Sequence, residues 1–267
     1  MSVMCNDIIN KLEKIAEESL AESWDNVGLQ IGRNEKHVDK ILVTLDVTSK
    51  IIEMAIHEKV DLIISHHPLI FKGIHNVKTD NYLGDNIYKL IKNDISVYSM
   101  HTNMDISKHG LASKLAEKLD LRHIMILDEK RNEKGEVHGL GRIGELPKPV
   151  SFETFIKNLK KILKCDVMRY AGNRDTTIRK VALCPGSGME FMHLARSKNA
   201  DVYVTGDLKY HQAVEADEMD FLVIDAEHYY TEKIFEEIIC EHLHGYAHEH
   251  KLQIITPSSE QSPIKYI

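Results

Sequence analysis

The sequence predicts an α/β protein of two similar halves, each a mixed, largely parallel sheet flanked by helices. Three observations predict it. Short β-branched apolar runs alternate with amphipathic segments, one strand–helix–strand block recurs later in the chain, and polar clusters stand where the buried strands end. Alternation of this kind implies parallel strands joined by crossover helices. A chain of 267 residues is long enough for two modest domains, each with its own core.

The elements follow in order. NDIINKLEKIAEESLAE places Ile8, Ile9, Leu12, Ile15 and Ala16 on one helical face, and WDNVGLQIG is a turn-rich entry into a short strand. KILVTLDVT reads as a buried strand, SKIIEMAIHEK as a helix, and VDLIIS as a second buried strand ending at SHHP. A helix around Asn86 to Lys92 leads to the strand ISVYSM, which ends at HTNMD. VHGLGRIGELP, SFETFIKNLKKIL and CDVMRYAG supply strand, helix and strand at the opening of the second half. KVALCPGSGMEFMHLARSKNADVYVTGD then aligns without a gap on KILVTLDVTSKIIEMAIHEKVDLIISHH: Lys40 meets Lys180, Ala55 meets Ala195 and Asp61 meets Asp201. A looser pairing sets DISVYSMHTN against DFLVIDAEHY. Duplication therefore predicts two halves about a pseudo-two-fold axis, whose strand ends can converge on one cleft between them. The expected domains are residues 1–125 with 230–267, and residues 126–229.

Composition narrows the function. Hydrophobic residues make up 43% and charged residues 28%, too apolar for a disordered chain. A net charge of −7 argues against a general nucleic-acid binder, which needs a basic face. The basic strip Lys157 to Lys164 reads as the solvated face of a helix. No run of apolar residues is long enough for a membrane helix, and the N-terminus lacks the pattern of a secretion signal. Cys5, Cys165, Cys184 and Cys240 are scattered, as expected of incidental thiols in a reducing, cytoplasmic setting.

The unusual count is histidine, 16 of 267. Four strand ends carry the polar residues: Ser65-His66-His67-Pro68, His101-Thr102-Asn103-Met104-Asp105, Thr205-Gly206-Asp207 and Asp225-Ala226-Glu227-His228. Open α/β sheets place their ligands at such ends. His66 and His67 leave an extended backbone in opposite directions, which suits two neighbouring metals or a polar loop. His228 and Glu232 share a helix face at i, i+4, as metal ligands or as a surface pair. Asp105 is a further carboxylate ligand or the N-cap of the helix SKHGLASKLAEKL. Imidazole with carboxylate suits zinc, iron or manganese, and the lack of clustered thiolate argues against a structural zinc knuckle. Gly186-Ser187-Gly188, between a strand and a helix, is either an anion-binding turn or a tight connection. Trp24 is either a structural anchor or a cleft-lining group. The tail histidines His242, His244, His248 and His250 are the densest cluster, yet Gly245 is expected to interrupt their helix and no strand end adjoins them.

SWDNVGLQIG, IISHHPLIFKGI, YSMHTNMD, GSG, TGDLKYHQA, HYYTE and SEQSPIKYI together resemble the GTP cyclohydrolase 1 type 2 family, the NGG-one-interacting-factor-three-like dinuclear-metal proteins, over nearly the whole chain. The resemblance implies a two-domain α/β fold, two divalent ions per chain and a toroidal homohexamer. It implies His66, His67, Asp105, His228 and Glu232 as ligands, with Glu232 bridging. It also implies hydrolysis of GTP to formate and 7,8-dihydroneopterin triphosphate, with His101 and His211 in proton transfer or phosphate contact and the Gly186–Gly188 turn at the phosphates. A nucleotide or another small phosphorylated substrate is the expected partner. The alternatives are a metal-dependent phosphoesterase or nucleotidase, and a non-enzymatic metal-binding scaffold that recruits nucleic acid or protein.

Overall fold

The computed structural model describes residues 3–131, 135–257 and 262–267. Of the terminal motif SEQSPIKYI, Ser259, Glu260 and Gln261 lie outside the described residues. The chain divides into two compact units, Met1–Met104 with Phe235–Ile267, and Asp105–Ile234. The chain passes from the first unit to the second after Met104 and returns after Ile234. The helix and strand that follow Asp105 pack with the second sheet, which takes them out of the first unit.

In the first unit the order is α1 (Cys5–Leu12), β1 (Gly28–Ile31), β2 (Lys40–Thr44), α2 (Ser49–His57), β3 (Leu62–Ser65), α3 (Tyr82–Lys92) and β4 (Ser96–Ser99). The short α4 (Thr102–Ile106) crosses into the second unit, which continues with α5 (Leu111–Lys118), β5 (Arg122–Arg131), β6 (Val137–Val150), α6 (Phe152–Leu163) and β7 (Arg169–Ala171). Next come β8 (Ile178–Leu183), a 3-10 turn (Met189–Phe191), α7 (Met192–Ser197), β9 (Val202–Thr205), α8 (Tyr210–Glu218), β10 (Leu222–Asp225) and α9 (His228–Glu232). The chain closes with α10 (Ile234–His250) and β11 (Gln253–Ile255), back in the first unit.

The repeat is real in topology. The first sheet runs β1-β4-β3-β2-β11 and the second β5-β6-β8-β9-β10-β7, so β1-β4-β3-β2 corresponds to β7-β10-β9-β8. In each, three parallel strands carry one antiparallel strand at the edge. The likeness reaches side chains. Asp61 Oδ2 accepts the backbone N–H groups of Asp39 and Lys40 at 2.9 and 3.0 Å, and Asp201 Oδ2 accepts those of Arg179 and Lys180 at 2.9 and 2.7 Å. Lys40 Nζ donates to the Glu58 carbonyl at 2.8 Å, and Lys180 Nζ to the Lys198 carbonyl at 2.7 Å. Two unrelated βαβ units share a strand order easily but not these identical anchors.

Local chemistry explains the boundaries. Thr48, Asn81 and Ser151 accept the N–H groups of Ile51, Gly84 and Thr154 and start α2, α3 and α6. Left-handed residues end the turns before the buried strands, Lys59 and Asp94 in the first unit and Asn199 and Asp220 in the second. Each sheet then buries its own apolar set. Leu42, Ile52, Ile63, Leu90 and Val97 form one core. Ala182, Met192, Tyr203, Phe221 and Val223 form the other. Each fully buried side chain of this size contributes roughly 1.5–3 kcal/mol.

Two local expectations are corrected. Gly245 does not interrupt the tail helix: α10 runs through it, because buried Leu243 and Ala247 continue the packed face and its own position opens on solvent. Asp105 does not cap the helix SKHGLASKLAEKL, since α5 starts after Gly110 and Asp105 lies inside α4. All four cysteines are free thiols, and burial pushes Cys5 and Cys240 each up to about 11.

Candidate metal centre

In the first unit, β3 ends at Ser65 and the backbone bends through His66 and His67. The expected divergence of the two side chains is lost there, because strict alternation holds only in extended chain. Their rings lie 5.0 Å apart. One ligand atom from each of His66, His67 and His101 falls within 4.8 Å of the others. Every one of these rings is fixed through Nδ1. His66 Nδ1–H donates to the Met100 carbonyl at 2.7 Å, His67 Nδ1–H to Asp46 Oδ1 at 2.9 Å, and His101 Nδ1–H to Asp25 Oδ1 at 2.9 Å. The partners only accept, so Nδ1 carries the proton and a neutral ring keeps its lone pair on Nε2. Burial works against ionisation of Asp25, but hydrogen bonds from His101 and Thr102 outweigh it and hold the carboxyl well below the usual range.

The second unit builds a matching set after β10. His228 opens α9, donates Nδ1–H to Asp207 Oδ2 at 2.9 Å, and sets Nε2 2.8 Å from Glu232 Oε2 one turn on. Glu232 is 3% exposed, and its carboxylate lies within 4.8 Å of an Asp105 oxygen. Gly186 makes this possible: at φ +68°, a Cβ there would stand 2.0 Å from Glu232 Oε1. Glu227, directly before His228, is a buried non-glycine residue at φ 61° and ψ 148°. Such backbone strain persists only where the surroundings impose it. Here Asp225 accepts the Glu227 N–H, and the Glu227 carbonyl accepts from Thr231.

Arg142, 4% exposed, sits beneath the same region. It donates to the carbonyls of Gly139, Gly141 and Ser107 and to Ser113 Oγ, at 2.7 to 3.0 Å. Its contact with Ser107 fixes the backbone just after Asp105. Burial lowers its pKa from the ordinary arginine value.

Residues 3–263 match the family described as Duf34/NIF3 (NGG1p interacting factor 3). The chain belongs to the DUF34/NIF3 family. A Clostridium acetobutylicum protein named GTP cyclohydrolase 1 type 2 homolog is 37% identical over 257 residues, spanning 96% of this chain and 95% of its own. A Clostridium perfringens protein of the same name is 40% identical over 227 residues, spanning 85% of this chain and 86% of its own. The crystal structure of the Staphylococcus aureus hypothetical protein SA1388 superimposes with a TM-score of 0.91 at 30% identity, covering 100% of both chains.

Other candidates of this DUF34/NIF3 chain lie elsewhere in its fold. His211 is exposed at the start of α8, its ring edge-on to Tyr210 at 5.2 Å, and it joins none of the candidate ligand groups among the described residues. In the Gly186–Gly188 turn, the N–H of Gly186 donates to Thr231 Oγ1 and that of Gly188 to Thr205 Oγ1, both at 3.0 Å. Those two amides are thus committed to protein hydroxyls. The tail histidines form no three-residue ligand group among the described residues. His242 Nε2 instead donates to the Lys11 carbonyl at 2.8 Å, and His250 packs on Tyr246 at 4.3 Å between centroids. Replacing His244 and His248 together by alanine is expected to leave unchanged whatever metal survives dialysis, by elemental analysis. Loss of that metal would place the centre on α10.

Sequence reasoning placed Asp207 at a strand end but gave no orienting role to it, nor to Asp25 and Asp46 in the first unit. The available signal was an aspartate beside each strand end, in WDN, TLD and TGD.

Proposed function

We propose that His66 and His67, with Asp105, His228 and Glu232, hold two divalent cations, Glu232 being shared, and that the centre serves hydrolysis of GTP to formate and 7,8-dihydroneopterin triphosphate. One observation carries the reading: each imidazole in the set gives its Nδ1–H to an oxygen acceptor, which makes Nε2 the nitrogen that a cation would meet. Metal-binding histidines are fixed in this way by carboxylates and carbonyls. The donor set fits zinc, iron or manganese. Asp105 begins the second unit and Glu232 stands just before its end at Ile234.

Bound cations in such a site supply Lewis acidity and bring the ionisation of water towards neutral pH. The protein's own residues do the rest. Asp25 holds the His101 ring and its Nδ1–H, so His101 Nε2 takes a proton and returns it. GTP is supported by the name that the clostridial relatives carry, GTP cyclohydrolase 1 type 2 homolog. A homohexameric ring is the assembly we propose with it. Among the described residues no helix is long and apolar enough to cross a membrane.

The test is formate release from GTP by protein of measured metal content in its zinc, iron and manganese forms. Stoichiometric formate from the wild type, reduced about 100-fold or more by His67→Ala, is the expected result. Phosphate release from simple esters without formate would make the protein a phosphoesterase. No turnover in any metal form would leave a metal-binding scaffold.

A further inference from the structure

Trp24 and Phe71 are 59% and 47% exposed, yet they flank His101 in a histidine cluster whose His66 is fully buried. Their centroids lie 5.9 Å apart at 58°, and each stands about one ring away from His101, at 6.0 and 6.1 Å. Both contacts with His101 are T-shaped, so the imidazole stacks face-to-face on neither ring. Large exposed aromatics beside buried polar groups are uncommon on a surface that does nothing.

The backbone beneath these rings is fastened. Asn26 Nδ2 donates to the Ile70 carbonyl, Gln30 Nε2 donates to the Asn26 carbonyl, and the Ile70 N–H donates to Gln30 Oε1 at 2.8 Å. Next to Trp24, Asp25 accepts from His101 Nδ1 and from the Thr102 N–H at 2.9 and 3.0 Å. The aromatic wedge is thus tied to the cluster through hydrogen bonds on both loops while its faces stay open. Rings held this way lose little freedom when a ligand arrives.

We infer that Trp24 and Phe71 form a stacking platform for a planar heteroaromatic ring of the substrate, set beside the His66–His67–His101 cluster. The inference rests on the reading of that cluster as part of the reaction centre, and it names the recognised part of the substrate as the base rather than the phosphates. Stacking on an aromatic face tolerates any base, so the platform holds the ring without reading its identity.

Trp24 is the only tryptophan, so its fluorescence reports on this site alone. Guanosine is expected to quench it, and inorganic tripolyphosphate is not. Trp24→Leu and Phe71→Leu should each raise the KM for GTP roughly tenfold or more, with Trp24→Phe restoring most of the loss and metal content unchanged. If GTP yields no formate, guanosine quenching together with weaker guanosine binding by Phe71→Leu still upholds the platform while the cyclohydrolase reading falls. If formate forms and both leucine variants keep the wild-type KM, the platform is overturned. Equal quenching by tripolyphosphate overturns it as well. So does emission that answers only to protein dilution, which would assign the wedge to a contact between copies.

Discussion

Glu232→Ala is expected to strip the protein of most of its bound divalent metal, read by elemental analysis after dialysis against a weak chelator. The fold, followed by far-ultraviolet circular dichroism, should persist. Glu232 is nearly fully buried, its carboxylate lies beside both His228 Nε2 and an Asp105 oxygen, and it ends a five-residue helix. Alanine keeps the helix and removes the charge that brings ligands together. If Glu232 is shared between two ions, both should weaken by about 100-fold or more, since even groups that only orient ligands are worth 10–100-fold. Gly186→Ala is the companion variant. It keeps every ligand residue but puts a methyl 2.0 Å from Glu232 Oε1, at a φ that side chains rarely adopt, so the carboxylate must shift and metal content should fall in the same direction. Full metal retention by Glu232→Ala would refute the ligand assignment.

Arg142→Met should cost the fold about 3 kcal/mol or more, a fall in Tm on the order of 10 °C. Methionine replaces the aliphatic stem but none of the donors. Three carbonyls and the Ser113 hydroxyl then lose a buried partner, and each unsatisfied group carries a penalty of about 1–3 kcal/mol. Because Ser107 follows Asp105 closely, metal affinity should fall along with stability. Arg142→Lys keeps the charge but not the planar fork, and should recover only part of the loss. A Tm within 1 °C of wild type for Arg142→Met, read by calorimetry, would show that water or rearranged donors serve those carbonyls (about 0.3 kcal/mol at this size).

The elements most legible in the sequence were those with local periodicity. β2, α2 and β3, and their counterparts β8, α7 and β9, alternate strand and helix patterns in runs long enough to be read singly, and the alignment of Asp61 with Asp201 holds down to the backbone groups each accepts. β5 was not read as a strand, because RHIMILDEKR sits at a sheet edge with only Leu127 buried and lacks an alternating apolar face. Gly245 was misread for a similar reason. A glycine's cost to a helix is local, but the packing of Leu243 and Ala247 that offsets it is not.

The candidate site divides along the same line. The surplus of 16 histidines and the placing of some of them at strand ends were written in the sequence, because strand ends follow from periodicity. So was the i, i+4 pairing of His228 with Glu232, a property of one helical turn. Only the tertiary structure turned His66 and His67 to one side, drew His101 to them, and matched Asp25, Asp46 and Asp207 to the three rings they hold. Those pairings join residues tens of positions apart, and which aspartate meets which imidazole depends on the register of packed strands, which sequence periodicity does not encode.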